Sequence, residues 1–130
     1  MIGDTSSTGA TSVTLEDVRK SYGHHEAVKG VSFTIQPGEL VSFLGPSGCG
    51  KTTTLRMIAG LEIPTSGVIK FNDQIVSKLP VWKRNVGMVF QSYALFPHLN
   101  IVDNVGFGLK MRNVSKSEIK DRVTDALKEV

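Results

Sequence analysis

The residues with the most chemistry in this chain run from Gly45 through Pro46, Ser47, Gly48, Cys49, Gly50, Lys51 and Thr52 to Thr53. They fit G-x-x-x-x-G-K-[ST], a spacing that grips a nucleoside triphosphate. A triphosphate is a compact polyanion and needs many converging donors. Glycines let successive backbone N–H groups turn into one concavity, and a helix that begins directly afterwards adds its positive dipole end. Lys51 would reach the β- and γ-phosphates as a point charge. The Thr52 hydroxyl would ligate Mg²⁺, and Thr53 would donate to the α-phosphate. Cys49 lies inside the loop beside the predicted helix start, a setting in which thiols tend to react. The plainer reading, a small residue filling a variable loop position, is preferred for it.

The loop needs elements to aim it. The apolar run Leu40-Val41-Ser42-Phe43-Leu44 reads as a buried strand leading in. Beyond the loop, Leu55, Ile58 and Ala59 fall at i, i+3 and i+4, one face of a helix, and Gly60 closes it. Strand, glycine-rich turn and helix in that order are the context the motif requires. Upstream, Val13, Leu15 and Val18 predict a strand with an irregularity, ending near Tyr22. Val31, Phe33 and Ile35 alternate with polar residues at a period of two. Gln36-Pro37-Gly38-Glu39 is a turn. Downstream, Pro64-Thr65-Ser66-Gly67 turns into a short strand, Val68 to Phe71, that stops at Asn72-Asp73. Val86-Gly87-Met88-Val89-Phe90 predicts a second buried strand with Gln91 at its carboxyl end, where ligands sit in open α/β sheets. Asn100 caps a helix with Ile101, Val105 and Leu109 along one side. Ser115-Lys116-Ser117-Glu118 is a capping box opening another, whose apolar face is Ile119, Val123, Ala126, Leu127 and Val130.

At 130 residues the chain is one domain at most. Hydrophobic content of 40% and charged content of 21% are those of an ordinary globular chain, and no apolar run is long enough to span a membrane. The N-terminus lacks an apolar signal core, so a cytosolic chain is expected. A net charge of +3 suits a polyanionic ligand without arguing for nucleic acid, and Lys83-Arg84 reads as a solvated turn. One cysteine rules out an internal disulfide. No second cysteine accompanies His98, and His24 and His25 lie far from it in sequence, so no metal site is expected there. Residues 1–12 are rich in Gly, Ser and Thr and read as a disordered tail, leaving 13–130 as the domain.

Three features together resemble the nucleotide-binding subunit of ATP-binding-cassette transporters, and cover nearly all of Val13 to Val130. They are the phosphate loop, the aromatic in Val18-Arg19-Lys20-Ser21-Tyr22-Gly23, and Val86 to His98, which is similar to the glutamine loop of bacterial import ATPases. Ala59-Gly60-Leu61-Glu62 and Pro64-Thr65-Ser66-Gly67 follow the same pattern. The resemblance implies a partial P-loop α/β core with a predominantly parallel sheet, an N-terminal antiparallel β region and the start of a helical subdomain. It implies ATP and Mg²⁺ as ligands, with Tyr22 stacking on adenine. Gln91 would complete the Mg²⁺ sphere, orient the attacking water and report nucleotide state. Tyr93, Leu95, Phe96, Pro97 and His98 would meet a transmembrane permease subunit or else pack on the helix that follows. A second ATP-binding subunit as homodimer partner and a peripheral place on the cytoplasmic side of the membrane are also implied, with no nucleic acid.

The chain departs from the family pattern in one respect. A complete domain of that family carries a Leu-Ser-Gly-Gly-Gln-type signature, an Asp-Glu pair after an apolar strand, and a switch histidine. These 130 residues contain no Ser-Gly-Gly and no Asp-Glu pair. Two readings stay open: the engine of an importer, or a truncated module that binds ATP without hydrolysing it alone. Other P-loop enzymes fit less well, because no Asn-Lys-x-Asp guanine-reading motif is present.

Overall fold

A computed structural model describes residues 10–92 and 94–130, which divide into two compact units with the boundary between Met88 and Val89. Of the expected tail, residues 1–9 lie outside the described residues, while Ser12 exchanges backbone and side-chain hydrogen bonds with Asn72.

The first unit is built on a four-stranded antiparallel sheet in the order β2-β1-β3-β4. Its strands are β1 (Val13–Tyr22), β2 (His25–Ile35), β3 (Ser66–Phe71) and β4 (Gln74–Ile75). Leu15 and Val18 are three residues apart, so a regular strand would turn them to opposite faces. A bulge between them, with Asp17 at φ 42, resets the alternation, and both side chains are fully buried. The irregularity read from the sequence is therefore the device that places two core residues. Helix α1 (Lys51–Ala59) contributes Met57 to the cluster formed by Leu15, Val18, Val28, Ile69 and Val76. Each such side chain contributes about 1.5–3 kcal/mol on burial. Gly60, at φ 86, ends the helix as expected, with its N–H and that of Leu61 returning to Met57 and Arg56 carbonyls.

Several expectations need correction. Neither Leu40–Leu44 nor Val86–Phe90 forms a strand, and every pairing among the described residues is antiparallel, so the predominantly parallel sheet is not observed. Leu40, Leu44 and Val89 are more than nine-tenths exposed. A strand exists only by hydrogen-bonding to a neighbour, and neither run pairs with a described strand. On α1 the buried positions are Thr54, Met57 and Ala59, while Leu55 is exposed. The sheet, not the apolar count, sets which side of the helix is covered.

The second unit is a helix pair, α2 (Ile101–Met111) and α3 (Lys116–Lys128). Asn100 and Ser115 cap them as read from the sequence, accepting from the Asp103 and Glu118 N–H groups. The seam forms at Gly106, which faces Ile119 and Val123, whereas Ile101 and Val105 are exposed. Among the described residues no helix is long and apolar enough to cross a membrane.

Candidate functional site

The phosphate-loop motif occupies the turn into α1. Gly48 and Gly50 take left-handed backbone conformations, φ 81 and φ 93. At Gly50 a side chain is doubly excluded, because a Cβ there would lie 2.6 Å from the Ala27 carbonyl oxygen of β2. The loop is thus pressed against a strand edge. No side chain caps α1 and no acidic residue lies in its first turn. Its positive end is therefore not offset by a side chain of its own first turn.

Lys51 places its ammonium across the mouth of the loop, donating to the Gly45 and Pro46 carbonyls at 2.7 Å each, with the Cys49 sulfur at 3.4 Å. It makes no ion pair among the described residues, so its charge is not neutralised by a carboxylate. Thr54 spends its hydroxyl on the Gly50 carbonyl, 2.9 Å away. Thr52 and Thr53 instead line an open cleft of about 470 Å³ together with Ser47, Gly48, Gly50 and Lys51. Tyr22, 46% exposed, lines the same cleft, as does His25, its partner across the β1–β2 turn. The structure therefore brings the sequence-selected aromatic and the phosphate-loop residues to one concavity.

Three residues around the site escaped the sequence reading. Lys20 holds its ammonium 5.0 Å from the centre of the Tyr22 ring and pairs with Glu62 at 3.0 Å. The hydrogen bond from Lys20 is the main reason that the Glu62 carboxyl is held below its usual range. His25 was weighed only as a metal ligand. Spacing held a clue to Lys20, since residues two apart on a strand share a side.

Arg84 is a correction: it is buried at 5% exposure, not a solvated turn. Its guanidinium donates to the carbonyls of Met57 (2.6 Å) and Ile58 (2.9 Å) at the end of α1, and to those of Ser77 and Leu79. Burial pushes its pKa down, yet a guanidinium stays charged. It acts as a cationic cap on the negative end of the helix that carries the phosphate loop. Nothing in the sequence around Lys83-Arg84 distinguishes such a cap from a surface turn.

The remaining selected residues belong to the second unit. Gln91 is exposed in a turn. Tyr93 lies outside the described residues. Phe96 stacks on Phe107 of α2 with ring centres 4.3 Å apart and has His98 at 6.0 Å. Leu95 is 70% exposed. Asn104, unnoticed in the sequence, organises this loop: its Oδ1 accepts from the Phe96 N–H, and its Nδ2 donates to the Phe96, Leu99 and Asn100 carbonyls. Packing on the following helix accounts for Phe96 and leaves Leu95 unexplained.

Comparison with known proteins gives a consistent result. A family model described as ABC transporter matches residues 28–130. The Fe(3+) ions import ATP-binding protein FbpC of Agrobacterium fabrum is 53% identical over 117 residues, 90% of this chain and 33% of that protein. The spermidine/putrescine import ATP-binding protein PotA of Trichodesmium erythraeum is 50% identical over 126 residues, 97% of this chain and again 33% of the relative. The chain thus spans about a third of the length of these relatives. Among solved structures, a dimeric post-hydrolysis state of the ATP-binding cassette MJ0796 bound to ADP and Pi matches with a TM-score of 0.79 and 34% identity, covering 89% of this chain and 56% of the other.

Proposed function

This chain belongs to the ABC transporter family, and from that membership we propose that it is the nucleotide-gripping part of an importer's ATP-binding subunit. The observation that carries the proposal is the single cleft shared by Tyr22 and by Lys51, Thr52 and Thr53. In this reading the loop N–H groups and the α1 end hold the phosphates. Lys51 exchanges its two carbonyl partners for β- and γ-phosphate oxygens, Thr53 donates to the α-phosphate, and the adenine lies on Tyr22. The Thr52 hydroxyl, which lines the cleft beside Lys51, is a hard oxygen donor of the kind that suits Mg²⁺. Mg²⁺ in phosphate sites takes one or two protein oxygens and the rest from substrate and water. Thr52 and Gln91 are the residues that would supply those oxygens, and the ion would offset phosphate charge.

Gln91 in this reading also orients the attacking water. The segment from Tyr93 to His98 meets the permease, with exposed Leu95 the residue most available for it. A second ATP-binding subunit pairs with the whole protein, which works peripherally on the cytoplasmic side of the membrane. These 130 residues contain no Asp-Glu pair to supply a general base, so binding without appreciable turnover is expected of them alone. Calorimetric titration with Mg-ATP tests the proposal, and Lys51→Ala should weaken uptake by at least about tenfold, the effect of one lost charge-assisted contact. No heat of binding from the folded, unaltered chain would overturn it. Steady phosphate release by this chain, abolished in Lys51→Ala, would overturn only the expectation of no turnover.

A further inference from the structure

Tyr22 is the last residue of β1, half exposed, and a ring in that position would ordinarily be free to change rotamer. Here two neighbours hold it, the Lys20 ammonium and the Glu62 carboxylate, which hydrogen-bonds with the Tyr22 side chain. The Lys20 ammonium lies 5.0 Å from the ring centre, inside the ~6 Å range over which a cation is drawn to an aromatic face. The ammonium is itself anchored twice, by the Ile63 carbonyl at 2.8 Å and the Glu62 carboxylate at 3.0 Å, and the Lys20 side chain is only 15% exposed. The anchor belongs to the turn that closes α1, where the Leu61 and Glu62 N–H groups both return to the Arg56 carbonyl. One helix therefore carries the phosphate loop at its first residue and, just past its last, the group that steadies the ring. Tyr22 lines the cleft and Lys20 does not.

Resting on the nucleotide reading above, we propose that Lys20 is a positioning residue for the base: it backs one face of the Tyr22 ring and so presents the other face to the incoming purine. Lys20 touches no part of the nucleotide. It acts by removing rotamer freedom that stacking would otherwise have to freeze, which is affinity gained through pre-organisation. The Glu62 carboxylate serves the same end twice, by holding the ammonium in place and by accepting from the Tyr22 hydroxyl.

The test separates the base end of the cleft from the phosphate end by titrating the chain with Mg-ATP and with magnesium tripolyphosphate, which has no base. Lys20→Met should weaken Mg-ATP binding by about three- to tenfold, the span of a modest cation–π contact, and leave tripolyphosphate unchanged. Glu62→Gln, which keeps the shape of the anchor, should shift the same ligand in the same direction by less. In a Tyr22→Ala background, Lys20→Met should have no further effect. Equal weakening of both ligands, or an undiminished Lys20→Met effect without the ring, would show a merely structural lysine and overturn the proposal. Equal affinity of the unaltered chain for the two ligands would overturn the base platform, and this role of Lys20 with it. Uptake of neither ligand would sink the phosphate-loop reading as well.

Discussion

Arg84 shows how much one side chain decides in so small a unit. Its guanidinium makes four hydrogen bonds, all to backbone carbonyls, two at the end of α1 and two in the Ser77–Leu79 stretch. Removing it would take a donor from four carbonyls, of which Met57 keeps the Gly60 N–H, and each buried acceptor left unpaired costs about 1–3 kcal/mol. Arg84→Met should therefore lower unfolding stability by about 2–4 kcal/mol in urea titrations. Arg84→Lys keeps the charge near the helix end but not the fork, so it should recover part of that loss. A full recovery by lysine would mean that charge alone, and not the divided hydrogen bonding, is what the site requires.

Among elements, the junction of the loop with β2 leaves no room for a side chain. Gly50 combines a positive φ with a carbonyl oxygen where its side chain would go. Gly50→Ala must either move the loop off the strand or distort the start of α1, at about 2–4 kcal/mol. Because the same backbone aims the loop N–H groups, nucleotide uptake should fall with it. Retained stability with lost uptake would place the damage in the loop alone, whereas unchanged stability and uptake would contradict the close contact. The second unit depends on a different device, the Asn104 side chain, which accepts one hydrogen bond and donates three to fasten the Phe96–Asn100 segment to α2. That segment is ordered by an amide, not by its aromatic residues alone.

For the whole molecule, the notable fact is uncovered apolar surface. Leu40, Leu44, Val89, Leu95 and Ile101 are each at least 70% exposed, and so is Trp82. Apolar residues this large and this numerous on a short chain are commonly a surface meant for contact. The relatives, of which this chain spans a third, have further sequence with which to cover such a surface. Alone, the chain should bind a hydrophobic dye such as ANS and elute at a size that rises with concentration. A dye-silent monomer at high concentration would show that these side chains find cover within the chain.

The sequence by itself determined local features: both helix caps, the glycine that ends α1 and the bulged first strand. Each is settled by residues within a few positions of one another, through backbone conformation and side-chain hydrogen bonds of short range. Only the tertiary structure decided that Leu40–Leu44 and Val86–Phe90 stay unpaired, that α1 turns Thr54 and Met57 inward in place of Leu55, and that Arg84 is buried. The same holds for Lys20 meeting Tyr22 and Glu62, residues brought together from β1 and from the turn after α1. Strand pairing and burial are properties of what lies alongside, and an apolar run carries no record of whether a neighbour is there to receive it.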